Sequence, residues 1–329
     1  VTAGASKVFR ADEAPASASD VFSVLQQGRL SNDLRFLLWP SPRLPVSQIS
    51  WVAPAGSWLD PPGKEGLSTV TFLAAAQSET LRGLSASAAV APRSDWHTGS
   101  LSLSCLSRDL ERRLPRFLDG VLAPSFDERA LAHAKSRCIG ELKSRRWSPG
   151  YAADQALAGS TYGEHRYGRP RRGSIKSLQS IELADVERFY RECVITRDSS
   201  WIAAGDLSTD RLRSSLDQDT PALSDGPRPL LPSTEALPER RSLVLVDHPR
   251  AEQAELRFGF RIPPLDDPSF VGFWMLATLL GGSARSRLNQ LLREELGLTY
   301  QVRCGIEARF GVGLFVIAAG NDALFARLC

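Results

Sequence analysis

The sequence predicts an α+β protein of two homologous sandwich-type units, the second cut short, joined by an extended linker. Three observations carry that expectation. Strand-like and helical patterns mix in both halves without the regular alternation of a parallel-sheet protein. Pro221, Pro227, Pro229, Pro232 and Pro238 crowd one stretch and mark a semi-rigid connection. The pattern of strands and helices then restarts and stops at Cys329 soon after a strand, where a unit matching the first would need roughly another hundred residues. The expected divisions are a flexible leader over 1–31, a first unit over 32–214, the linker over 215–240 and an incomplete second unit over 241–329.

Taken in chain order, residues 34–39 and 46–53 are β-like runs separated by a proline-rich turn. Residues 65–76, EGLSTVTFLAAA, follow a Pro-Pro-Gly turn and read as a buried helix. SLSLSCL (100–106) alternates with period two, as a half-buried strand does. Residues 108–123 form an amphipathic helix that Pro115 must start or kink. A further helix begins at a Ser125 cap and sets Leu131, Cys138 and Leu142 on one face. One helix is expected over 178–194, and a strand ending in a Gly-Asp turn over 199–207. Beyond the linker, RSLVLVDH and AELRFGFRI read as strands, PSFVGFWMLATLLGG and SRLNQLLREEL as helices, and TYQVRCGIEA and VGLFVIAAG as strands.

Composition sets the bounds. With 329 residues, 43% hydrophobic and 23% charged, the chain can bury large cores. A net charge of +3 argues against a nucleic-acid partner. No apolar run reaches the ~18–20 residues that span a bilayer. The Ala/Ser-rich head fits either a mature exported chain or a flexible leader, and places the periplasm ahead of the cytoplasm. The five cysteines are scattered and read as inert thiols. The four histidines, His97, His133, His165 and His248, stand in separate segments with no ligand spacing. Arg169, Arg171 and Arg172 read as a solvated loop, with phosphate binding the lesser alternative.

The stretch NDLRFLLWPSPRLPVSQISWVAPAGSWLDPPGKEGLS resembles the N-terminus of the pitrilysin/insulinase family of zinc peptidases, the inverzincins. YGEHRYGRPRRGSIKSLQSIELADVERFYRE is similar to that family's His-Pro-Tyr-Gly segment, with Arg166 in place of the proline. AAGDLS is similar to its Gly-Asp turn, and LGGSARSRLNQLLREELGLTYQV to its second-domain signature. The resemblance implies a half-shell of two sandwich domains and a helix bearing H-x-x-E-H, in which two histidines hold Zn²⁺ and the glutamate activates its water. Those three positions fall here on Thr69, Phe72 and Leu73, none of which suits the metal or the proton. Glu141 lies about where the family's third ligand would be and, without histidines, reads as a solvated or paired residue.

Arg293 and Tyr300 match, in residue and spacing, a family pair that reaches across the chamber to the substrate and the transition-state oxygen. The resemblance thus implies a non-catalytic subunit of a heterodimeric peptidase. It would bind no metal itself and would give Arg293 and Tyr300 to a homologous partner that carries the zinc, around a peptide substrate. The rival is a pseudo-peptidase that acts only as scaffold or peptide-binding module. An active homodimer is nearly excluded by the missing ligands.

Overall fold

The computed structural model describes residues 24–84, 88–223, 225–226, 241–248, 251 and 253–321. Strand β1 (Gln26–Arg29) pairs antiparallel with β2 (Arg35–Pro40), Gln26 opposite Leu38 and Arg29 opposite Arg35. The turn between them passes through Asp33 at φ 70°, a left-handed position that aspartate tolerates. The expected leader is therefore too long. Residues 26–29 are strand because this turn folds them back onto β2, and residues 1–23 lie outside the described part.

The chain continues through β3 (Val46–Ala53), α1 (Leu67–Ala76), α2 (Glu79–Arg82), β4 (Ala88–Ser94) and β5 (Gly99–Leu106). Then come α3 (Ser107–Leu122), α4 (Glu128–Arg145), α5 (Pro149–Tyr162), α6 (Ile175–Ser180), α7 (Leu183–Phe189), β6 (Ser200–Gly205) and α8 (Thr209–Asp219). The first six strands form one sheet in the order β1-β2-β6-β3-β5-β4. Only β2 and β6 run parallel; the other neighbours are antiparallel. Trp51 of β3 and Trp201 of β6 are registered partners at the centre, edge to face with centroids 4.7 Å apart. The Trp51 indole donates to the carbonyl of Val194 at 3.0 Å, so that ring is buried without an orphan N–H. Helix α1 packs between β4 and β5 of this sheet and helices α4 and α7.

Local departures have local causes. Helix α4 starts at Asp127, not Ser125, because the Asp127 carboxylate accepts from the Ala130 N–H at 2.6 Å. The helix expected over 178–194 breaks at Ile181, whose backbone is extended; the Glu182 N–H then donates to Asp185 and restarts it, and Tyr190–Val194 closes it as a π turn. Pro115 lies inside α3, not at its start. Strand β4 and helix α5 have no counterpart in the sequence reading, since their Ala-, Ser- and Gly-rich segments lack apolar periodicity. Residues 215–219 of the expected linker are the end of α8, and 227–240 lie outside the described residues. Among the described residues, 241–248 pair with no strand, and Leu243 and Leu245 are exposed, so the strand expected there is not formed.

The second sheet is antiparallel in the order β7-β9-β8, from β7 (Ala254–Ile262), β8 (Val302–Arg309) and β9 (Val312–Asn321). Helix α9 (Phe270–Gly281) and α10 (Arg287–Asn289), which runs on as a π turn over Gln290–Glu295, lie between β7 and β8 in sequence. Ile262, Phe270, Ala277 and Phe315 form its core.

The two sheets meet at a seam. Helix α5 packs on β7, where Arg257 donates to Asp154 at 2.6 Å and to Glu255 at 2.7 Å. The tip of the β8–β9 hairpin enters an aromatic cradle. The Phe310 N–H donates to the Tyr167 hydroxyl at 2.9 Å, and the Phe310 ring lies 3.9 Å from that of His97. Trp58, Trp96, Tyr162 and Tyr167 close around Val312 and Leu314.

Candidate functional site

The site is built on α1. Gly66 precedes the helix at φ 95°, where a side chain would also strike Leu178 and the Arg172 carbonyl. The buried Asp60 carboxylate caps the helix from outside, accepting from the N–H groups of Gly66 and Ser68, both at 2.8 Å. Burial pushes Asp60 up to about 7, against those two donors, which favour its charged form. The Ser68 hydroxyl donates to the Ala55 carbonyl at 2.7 Å and ties α1 to the end of β3.

This frame fixes Thr69, Phe72 and Leu73 over the sheet. Phe72 is 1% exposed. Its ring occupies the space above Gly99, at the start of β5; a Cβ on Gly99 would lie 1.8 Å from Phe72 Cε2. Leu73 packs against the main core, and the Thr69 hydroxyl is buried without a partner. Two hydrocarbon side chains and one hydroxyl do not fit a zinc ion, which takes thiolate, imidazole or carboxylate. Among the described residues no group of three or more His, Cys, Asp or Glu could hold a metal.

A cavity of about 720 Å³ opens beside these three residues, and Glu141 of α4 lines it. The Glu141 carboxylate pairs with Arg172 and, at 3.5 Å, with Arg137, so it is a paired residue. Arg171 donates to the Ser94 carbonyl at 2.7 Å and lies 3.7 Å from Asp95. Arg171 and Arg172 are thus cavity walls rather than a solvated loop, because Gly173 at φ 76° turns the segment tightly under the Glu65 carbonyl.

His97 and His165 serve structure. The His165 ring accepts from the Tyr167 N–H at 3.3 Å, and His97 shares a 2.8 Å hydrogen bond with the Tyr167 hydroxyl. Burial, with Arg309 nearby, lowers His97 to about 4, so its ring is neutral at neutral pH. Burial pushes the Cys138 and Cys193 thiols up to about 11, which leaves them protonated at neutral pH.

Arg293 and Tyr300 stand in the second unit, away from the cavity lining. Arg293 is on the π turn after α10, half exposed and 3.4 Å from Glu294. Tyr300 precedes β8 and is 83% exposed. Their element is pinned by Asn289, which donates to the carbonyls of Ser283 at 3.0 Å and Val302 at 2.8 Å and accepts from the Val302 N–H at 2.9 Å. Sequence reasoning missed Asp60, Gly99 and Asn289. The signals at hand were an acid just before the Pro-Pro-Gly turn and a lone Asn within an apolar helix.

A family model described as the peptidase M16 inactive domain matches residues 180–325. The uncharacterized zinc protease YmxG of Bacillus subtilis is 28% identical over 200 residues, 60% of this chain and 48% of that protein. The non-peptidase homolog YmxG of Helicobacter pylori is 24% identical over 204 residues, 61% of this chain and 46% of that protein. The chain spans about half the length of the curated relatives it matches. In fold it is similar to the crystal structure of a peptidase M16 inactive domain from Pseudomonas fluorescens, with TM-score 0.74 and 23% identity over 91% of this chain and 74% of that one.

Proposed function

We infer, from a chain that belongs to the peptidase M16 family of pitrilysin and insulinase, a non-catalytic member that holds peptides for a zinc-bearing homologous subunit. The observation that carries this reading is the packing of Phe72 into the space above Gly99, at the position where the family's motif has its glutamate. A phenyl ring wedged there leaves neither a base nor a ligand for chemistry in this chain. The inactive-domain match and the non-peptidase name of the Helicobacter relative support the same reading. In the heterodimer this chain supplies Arg293 and Tyr300. A guanidinium and a phenol are donors suited to the oxyanion that forms as the partner's zinc-bound water attacks the scissile carbonyl. Peptides add to a sheet edge inside the shared chamber. Among the described residues no helix is long and apolar enough to cross a membrane.

The test has two stages. The purified chain, analysed for metal and incubated with a quenched peptide library, is expected to carry no stoichiometric zinc and to cleave nothing; one tightly held zinc per chain overturns the reading. Mixed with a homologous chain that retains H-x-x-E-H, it is expected to form a heterodimer and raise peptide turnover. A second reading, scaffold alone, is favoured by the pairing of Arg293 with its neighbour Glu294 and by the free exposure of Tyr300. It wins if assembly occurs and turnover does not change.

A further inference from the structure

We propose that the cavity beside α1 binds a carboxylate, either the free C-terminus of a peptide or a small free carboxylate. The proposal stands on this chain's own side chains and needs no zinc-bearing partner; only the peptide source of the carboxylate rests on the peptide-holding reading.

The cavity wall carries five arginines, Arg93, Arg137, Arg145, Arg171 and Arg172, against two carboxylates, Asp95 and Glu141. The acids do not use up the cations. Glu141 is shared between Arg172 and Arg137, and Asp95 meets Arg171 at 3.7 Å, a loose contact. No carboxylate of the described residues comes within ion-pair distance of Arg93 or Arg145, both exposed. Phe72, Leu73 and Pro92 line part of the same space with hydrocarbon. The volume of about 720 Å³ is in the range of small-molecule sites, roughly 300–1,000 Å³.

The internal carboxylate indicates the ligand class. Glu141 lies between two guanidinium groups in the way a bound carboxylate would, and planar forks of N–H donors match the two oxygens of a carboxylate. Burial lowers Arg171 from its ordinary value, so a second negative charge near it is electrostatically favoured. Where the resemblance implies a dication site, this chain has a cavity of the opposite preference. A zinc site assembles negative and neutral donors around a cation; this one assembles cations around an unfilled space.

The test uses calorimetric titration of the full chain with four probes: succinate, inorganic phosphate, a short peptide with a free C-terminus, and the same peptide amidated. Saturable binding of the free-acid peptide, at least tenfold tighter than the amide, is expected if the source is a peptide end. Binding of succinate without the peptide assigns the site to a free carboxylate and equally supports the proposal. Arg93→Gln combined with Arg145→Gln is expected to weaken the bound probe at least tenfold. Neither arginine has a carboxylate partner among the described residues, so the variant is expected to keep the native circular dichroism. Glu141→Gln is expected to tighten binding severalfold by releasing Arg137 and Arg172. The proposal fails if natively folded protein binds no carboxylate probe, if phosphate alone binds, if acid and amide peptides bind equally and without dependence on the arginines, or if Glu141→Gln weakens binding.

Discussion

Phe72 and Gly99 form a matched pair, one side chain occupying the volume the other lacks. Gly99→Ala is expected to destabilise the chain by about 1–3 kcal/mol through overpacking. The same change in a Phe72→Leu background is expected to cost measurably less, a coupling of about 1 kcal/mol or more in a double-mutant cycle by urea denaturation. Equal costs in both backgrounds would mean that the ring is not what Gly99 accommodates. Rebuilding the motif by Thr69→His, Phe72→Glu and Leu73→His is expected to lower stability, at about 1–3 kcal/mol per buried unpaired polar group, without zinc-dependent cleavage. Zinc analysis and denaturation on the triple variant decide it, and a stable active enzyme would refute the packing argument. That Thr69, Phe72 and Leu73 offer no metal ligand or base was legible in the sequence, because it follows from the residue types alone. Gly99 was not legible, since its reason is a contact with a ring on another element, and no local pattern carries that.

Between elements, the seam turns on His97. Its ring is neutral against Phe310 and Tyr167, with its folded pKa at about 4, below the ordinary 6.5. The unfolded chain therefore binds a proton there first. The contribution of His97 is complete above about pH 6.5 and is lost as pH falls from there toward 4. Urea denaturation at pH 7.5 and pH 5 is expected to show a larger loss for the native chain than for His97→Gln; equal losses would remove His97 from the seam's pH response. Asp60 responds oppositely, losing stability as pH rises toward 7, and it is common to both proteins, so the difference isolates the histidine. Asn289 holds the second unit's π turn through its bonds to Ser283 and Val302. Asn289→Leu is expected to cost about 2–4 kcal/mol, since several buried backbone groups lose partners. Thermal unfolding checks the cost, and a loss under 1 kcal/mol would mean the turn is held from elsewhere. Most of the longer helices and the strands β2, β3, β5, β6, β7, β8 and β9 were legible from pattern. β4 was not, because its alanines and serines fit an edge strand only once β5 is beside them.

At the scale of the molecule, two sheets meet at an aromatic seam, and Tyr300 stands exposed on the second of them with Arg293 half exposed. Under the proposed heterodimer, Arg293→Ala and Tyr300→Phe are each expected to lower kcat of the reconstituted pair by about 10²–10³, the usual cost of one oxyanion donor, while size exclusion shows normal assembly. Unchanged turnover in the double variant leaves this chain a scaffold. The order of the first sheet has a consequence of a different kind, in the timing of synthesis. β2 and β3 are neighbours in sequence, yet β6 lies between them and pairs with both. As the chain leaves the ribosome, both strands must wait for a filler made roughly 150 residues later, on the order of ten seconds at about 5–20 residues per second. Throughout that interval Trp51 has no Trp201 to meet and two strand edges stand open, so the nascent chain is a target for chaperones, and translational pausing before β6 has emerged from the ribosome should raise its aggregation more than pausing after it has emerged.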